Sequence, residues 1–181
     1  GNYNSSYYNS YESFYDPDKS VQMYGLSVMF GKRLRWPDDY FTFTAALSYQ
    51  RYVLKDWQYF PVTNGKSNNI SLELTLSRNS VDNPIYPRYG AEFTFSVQLT
   101  PPYSLWDGVD YSQYAQSASD PNYQRDMNRK YKWVEYHKWK FKSKTYTSLM
   151  SISKTPVLMT RVAFGLLGHY NRYKRSPFET F

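Results

Sequence analysis

Between Ile70 and Ser77 every second residue is aliphatic: Ile70, Leu72, Leu74 and Leu76 alternate with Ser71, Glu73, Thr75 and Ser77. Extended backbone sends successive side chains to opposite faces, whereas a helix needs its apolar residues three or four apart. The stretch therefore reads as a strand with one apolar and one polar face. The same period recurs along the chain. Tyr24, Leu26, Val28 and Phe30 alternate with Gly25, Ser27 and Met29, and Phe41, Phe43, Ala45, Leu47 and Tyr49 with Thr42, Thr44, Ala46, Ser48 and Gln50. Phe93, Phe95, Val97 and Leu99 oppose Thr94, Ser96 and Gln98. From Val134 to Leu149, Lys138, Lys140, Lys142 and Lys144 share one face and His137, Trp139 and Phe141 the other. From Val157 to Tyr170, Val162, Phe164 and Leu166 oppose Arg161, Ala163 and Gly165.

About six strands emerge, each long enough for the roughly 9 to 11 residues with which a tilted strand crosses a bilayer. Strands of soluble proteins usually stop at about 5 to 6 residues. Short connections near Trp36 to Asp39, Ser80 to Gly90 and Met150 to Pro156 alternate with longer polar ones from Asp56 to Asn68 and from Pro101 to Lys132. Short turns on the periplasmic side and long loops outside are the outer-membrane pattern. The fold expected is all-β: consecutive strands of a transmembrane antiparallel β-barrel.

Composition agrees. Aromatic residues make up 20% of the chain, with 21 Tyr and 5 Trp, and they gather where the alternation begins and ends: Trp36 and Tyr40, Trp57 and Tyr59, Trp133, Tyr170 and Tyr173. Amphipathic rings favour the headgroup level, so these positions read as two girdles. Mean hydropathy is −0.74, and no run of about 18 apolar residues exists, which excludes an ordinary transmembrane helix and leaves a barrel open. A soluble β-sandwich also alternates. Strand length, the girdles, and Ser, Thr and Gln on the polar faces of the third and fourth strands favour a hydrated lumen instead.

On this reading Leu72, Leu74, Leu76, Phe93, Phe95, Val97 and Phe164 face lipid, and Glu73, Thr75, Lys138, Lys140, Lys142 and Arg161 face the lumen. The lysine row could line the lumen or meet anionic lipid headgroups; lumen lining is favoured because each Lys would cost roughly 2 to 4 kcal/mol against hydrocarbon at mid-depth. About six strands cannot close a membrane barrel, since about eight is the smallest number in single-chain examples. The 181 residues are therefore expected to be one partial barrel domain, with the first and last strands elsewhere. Gly1 to Ser20 has neither the basic start nor the apolar core of a signal peptide, which fits a mature or truncated chain.

Little in the sequence suggests catalysis or cofactors. The chain has no Cys, which removes thiol chemistry, disulfides and cysteine-ligated metal centres. His137 and His169 lack close metal-ligand spacing, and no triad or carboxylate pair stands out. Asp107, Asp110, Asp120 and Asp126 in the long connection do not follow an EF-hand pattern. The net charge of +7 is scattered outside Arg125 to Lys144, so nucleic acid is not the expected partner.

The segment SRNSVDNPIYPRYG from Ser77 to Gly90 resembles the periplasmic turn of the BamA family of outer-membrane protein assembly factors, the bacterial surface antigen family. The matching features are Arg78 and Asn79 at the strand end, Tyr86 and Pro87 in the turn, and Gly90 opening the next strand. RLRWPDDY from Arg33 to Tyr40 is similar to an earlier periplasmic turn. TPPYSLWDG from Thr100 to Gly108 resembles the loop that follows, and SPFETF from Ser176 to Phe181 the segment before the loop that folds back into the barrel. These matches cover nearly the whole chain in the expected order.

The resemblance implies the central part of a barrel of about 16 strands, within the range of single-chain outer-membrane barrels, preceded by POTRA domains. It also implies a Gram-negative outer-membrane location and insertion of other barrel proteins without ATP, catalysis, cofactor or metal. The partners implied are outer-membrane lipids, unfolded outer-membrane protein clients and accessory subunits of an assembly complex. The rival class is a passive porin-like channel or a polypeptide secretion pore. A secreted glycan-binding β-protein is a third reading, and it requires solubility without detergent.

Overall fold

Strands with one apolar and one polar side gain most when antiparallel neighbours keep all apolar side chains on the same face. The computed structural model describes residues 20–56, 64–115, 117–150 and 156–176. It contains a six-stranded sheet in chain order, with β1 at Ser20–Arg33, β2 at Phe41–Lys55, β3 at Gly65–Asn79, β4 at Gly90–Leu99, β5 at His137–Ser148 and β6 at Val157–Gly168. Every neighbouring pair is antiparallel, and β1 and β6 are the two edges. The shortest strand, β4, has 10 residues. At about 3.3 Å per residue and a tilt near 45°, it rises about 23 Å, close to the apolar band of an outer-membrane barrel of about 25 Å.

The register carries one apolar row across the sheet. Phe43 lies opposite Leu76, Leu76 opposite Phe95, Phe95 opposite Phe141 and Phe141 opposite Phe164. Ala46, Glu73, Gln98, Lys138 and Leu167 form a matching row on the other face. The strands outrun their apolar stretches: Arg51 pairs with Asn68 and Leu54 with Gly65. The loop expected from Asp56 to Asn68 thus shrinks to residues 56–64, because ladder hydrogen bonds join backbones whatever their side chains. Val134 to Tyr136, expected to open the fifth strand, instead lead into it. Asn68 accepts from the Val134 backbone N–H at 2.8 Å, and Tyr136 accepts from that of Thr100 at 3.1 Å.

The connections 34–40, 80–89 and 149–156 share one end of the sheet, here the turn end, and 56–64 and 100–136 the other, the loop end. The 100–136 connection holds a short helix α1 (Tyr103–Trp106), a 3-10 turn (Tyr111–Gln113) and the helix α2 (Tyr123–Lys130). Tyr123, Met127 and Tyr131 recur at helical spacing. They meet Leu54 of β2 in a small apolar core, whose burial stabilises a helix too short to hold alone. The connection also covers part of the polar face, where Ser67, Asn69, Ser71 and Lys138 are buried.

Candidate functional site

The strands position two surfaces. Leu72, Leu74, Leu76, Phe93, Phe95, Val97 and Phe164 lie on one face, and Glu73, Thr75, Lys138, Lys140, Lys142 and Arg161 on the other. The apolar face is unusually bare. Val28 is 67% exposed, Phe164 62% and Leu47 55%, although large apolar side chains in a water-soluble fold are normally covered. On the polar face Ser48 and Ser71 share a hydrogen bond of 2.8 Å, and Gln98 Nε2 donates to Ser71 Oγ at 3.2 Å. Lys144 lies 3.8 Å from Glu92.

At the turn end Arg78 ties two hairpins together. Its guanidinium donates from Nε to Asp38 Oδ2 at 2.9 Å and from NH1 to Ser80 Oγ at 2.8 Å, while NH2 lies 2.8 Å from Asp38. The same group sits over the rings of Tyr40 and Phe41. A planar fork suits this bidentate and stacked position better than an ammonium would. Asn79 donates its backbone N–H to Tyr40 and accepts from Val81 through Oδ1. Gly90 has a φ of 110°, and an added Cβ would overlap the Ser80 backbone, so the position demands glycine. Tyr86 projects from the turn, 80% exposed. Asp82, unmarked in the sequence, closes this turn by accepting the backbone N–H groups of Arg88, Tyr89 and Asn83. Those bonds, led by Arg88, hold its carboxyl below the usual range.

At the loop end Glu135 and Lys174 form a buried pair at 3.7 Å, 0% and 3% exposed. Glu135 also accepts the Ser104 backbone N–H at 2.8 Å and its Oγ–H at 2.6 Å. Lys174 lies over the rings of Tyr111 and Tyr103. Burial pushes its ammonium below the usual lysine range, and the nearby Glu135 and Asp107 carboxylates oppose that push. Tyr111 donates its hydroxyl to Asp107, and burial followed by that bond raises its phenol. No sequence motif marks this cluster, because its members come from three separate segments.

Tyr103 and Trp133 meet with tilted rings at 5.2 Å and His137 and Tyr170 edge to face at 5.4 Å, two ring contacts at the loop end. Trp36 and Tyr40 are exposed at the turn end. Trp57 and Tyr59 lie outside the described residues, as does all of SPFETF after Ser176. Trp139 Nε1 donates to His137 Nδ1 at 3.0 Å. Asp107, Asp110, Asp120 and Asp126 each accept from donors within the connection rather than converging. Among the described residues no three His, Cys, Asp or Glu side chains are grouped to hold a metal ion.

No curated protein matches this chain. A family model described as the Omp85 superfamily domain matches residues 2–181. Proteins of that superfamily are outer-membrane β-barrels that insert or secrete other proteins, and the six antiparallel strands are consistent with that fold. This chain belongs to the Omp85 superfamily.

Proposed function

We propose that the chain is the central wall of a BamA-type barrel in a Gram-negative outer membrane, where it helps fold and insert other barrel proteins. The observation that carries the reading is the unbroken apolar row from Phe43 to Phe164 beside a row of Glu, Gln and Lys. Lipid covers the first face and water the second. Further strands complete the cylinder, since backbone groups at an open edge cannot be left unpaired in hydrocarbon. The Arg78 fork, Asn79, Tyr86, Pro87 and Gly90 belong to a periplasmic turn, and the 100–136 connection lies outside.

The work of such a wall is physical, with neither catalysis nor a cofactor. It borders disturbed lipid, steadies the barrel beside the strands that receive clients, and meets accessory subunits at its rims. Polypeptide secretion is the rival within the same superfamily.

Lipid vesicles containing the full-length protein test this reading with a urea-unfolded barrel client. Folding several-fold faster than in protein-free vesicles is the expected result. No acceleration, together with passage of a soluble polypeptide into the vesicles, would assign the protein to secretion.

A further inference from the structure

Lys138, Lys140, Lys142 and Lys144 occupy alternate positions on one side of β5. At about 3.4 Å per residue, successive lysines stand about 7 Å apart, within the Debye length of about 8 Å at physiological salt. Their fields therefore merge into one positive strip along the strand. On the β6 side the inner two face Gly165 and Ala163, and on the β4 side Ser96 and Thr94. Small neighbours leave the long side chains room to stand clear of the sheet.

The strip is under-compensated. Among the described strand residues the carboxylates on this face are Glu73 and Glu92, beside the four lysines, Arg161 and, at the end of β1, Arg33. Glu92 lies 3.8 Å from Lys144, while Glu73 is level with Lys138, across Gln98, and its charge also reaches Lys140 without coming to ion-pair distance. Among the described residues, neither Lys140 nor Lys142 has a carboxylate at ion-pair distance. Lys142 is exposed and Lys140 half-buried. Toward the loop end Lys138 is buried, so the accessible part of the strip begins beyond it.

From this ladder we infer that the lumen side of the sheet is a path for small inorganic anions, with Lys140 and Lys142 as the residues that attract them. Rings or rows of Lys and Arg select anions in pores by lowering the electrostatic barrier to entry. The inference rests on the lumen-facing reading given under Proposed function.

The test uses the full-length protein in planar bilayers under a potassium chloride gradient, with chloride as the probe. Reversal potentials give the chloride-to-potassium permeability ratio. That ratio should fall several-fold in the K140Q/K142Q double variant and further in K140E/K142E, with heat-modifiable gel migration confirming that both fold. An unchanged ratio overturns the proposal, as does a wild-type protein that passes no current.

Thiol labelling tells the two possible failures apart. This chain contains no Cys, so K142C and F141C can be introduced singly into a full-length background without other cysteines. A water-soluble maleimide that labels K142C and spares F141C supports the facing. If the ratio then stays unchanged, the anion path alone is wrong. Labelling of F141C with K142C spared overturns the facing and the anion path with it.

Discussion

At the residue scale the Glu135 carboxylate has no exposed surface and is held by Ser104 and Lys174. Taking both charges out of water costs several kcal/mol, offset only while each retains its partners. Replacing Lys174 by Met leaves a buried carboxylate with Ser104 alone, among the described residues, to satisfy it. The expected loss is about 3 to 5 kcal/mol for opening of the loop end, whereas a Glu135→Leu/Lys174→Met double variant regains most of it. Protease nicking within 100–136 reads this directly, since cleavage follows the population of the opened form. Equal nicking rates in the single variant and the wild type would show that the pair contributes nothing. Composition does not announce such a pair. Glu135 looks like any polar residue before a strand, and Lys174 like one of many scattered cations.

At the element scale the middles of the strands were legible and their ends were not. Between Ile70 and Leu76 burial of one face imposes a period of two that the residues display. Beyond those limits Lys66, Ser67, Asn68 and Asn69 remain in β3 although no apolar period marks them. The helix α2 was hidden for a related reason. Its apolar positions are Tyr123 and Met127, with Tyr131 just beyond, in a segment otherwise polar and charged. Leu54, which they cover, is distant in sequence. The facing of β3 gives a sharp contrast between adjacent residues. Leu74→Arg places a cation among Ala45 and Val97 on the apolar face, and Thr75→Arg places it among Thr44 and Ser96. Near the bilayer midplane the first change should cost about 2 to 4 kcal/mol and the second much less. Urea titration of the refolded full-length protein in lipid measures the difference, and equal losses would mean that the faces are assigned wrongly.

At the scale of the whole molecule, the antiparallel order puts the 80–89 turn and the 100–136 connection at opposite ends of the sheet. Single cysteines at Asn83 and Ser117 should accordingly react with an impermeant thiol reagent from opposite sides of intact membranes. Reaction of both from the same side would remove the spanning arrangement. The turn motif was readable because its residues adjoin in sequence, although the Arg78 link to Asp38 joins two hairpins and became evident only in the fold.

The Glu135–Lys174 pair joins the stretch entering β5 to the chain leaving β6, and Ser104 fastens the exit of β4 to the same point. A pull on the chain beyond Gly168 therefore reaches β4 without travelling along the β5–β6 ladder. That part of the rim shifts as one plate, and mechanical load is shared across three staves of the barrel.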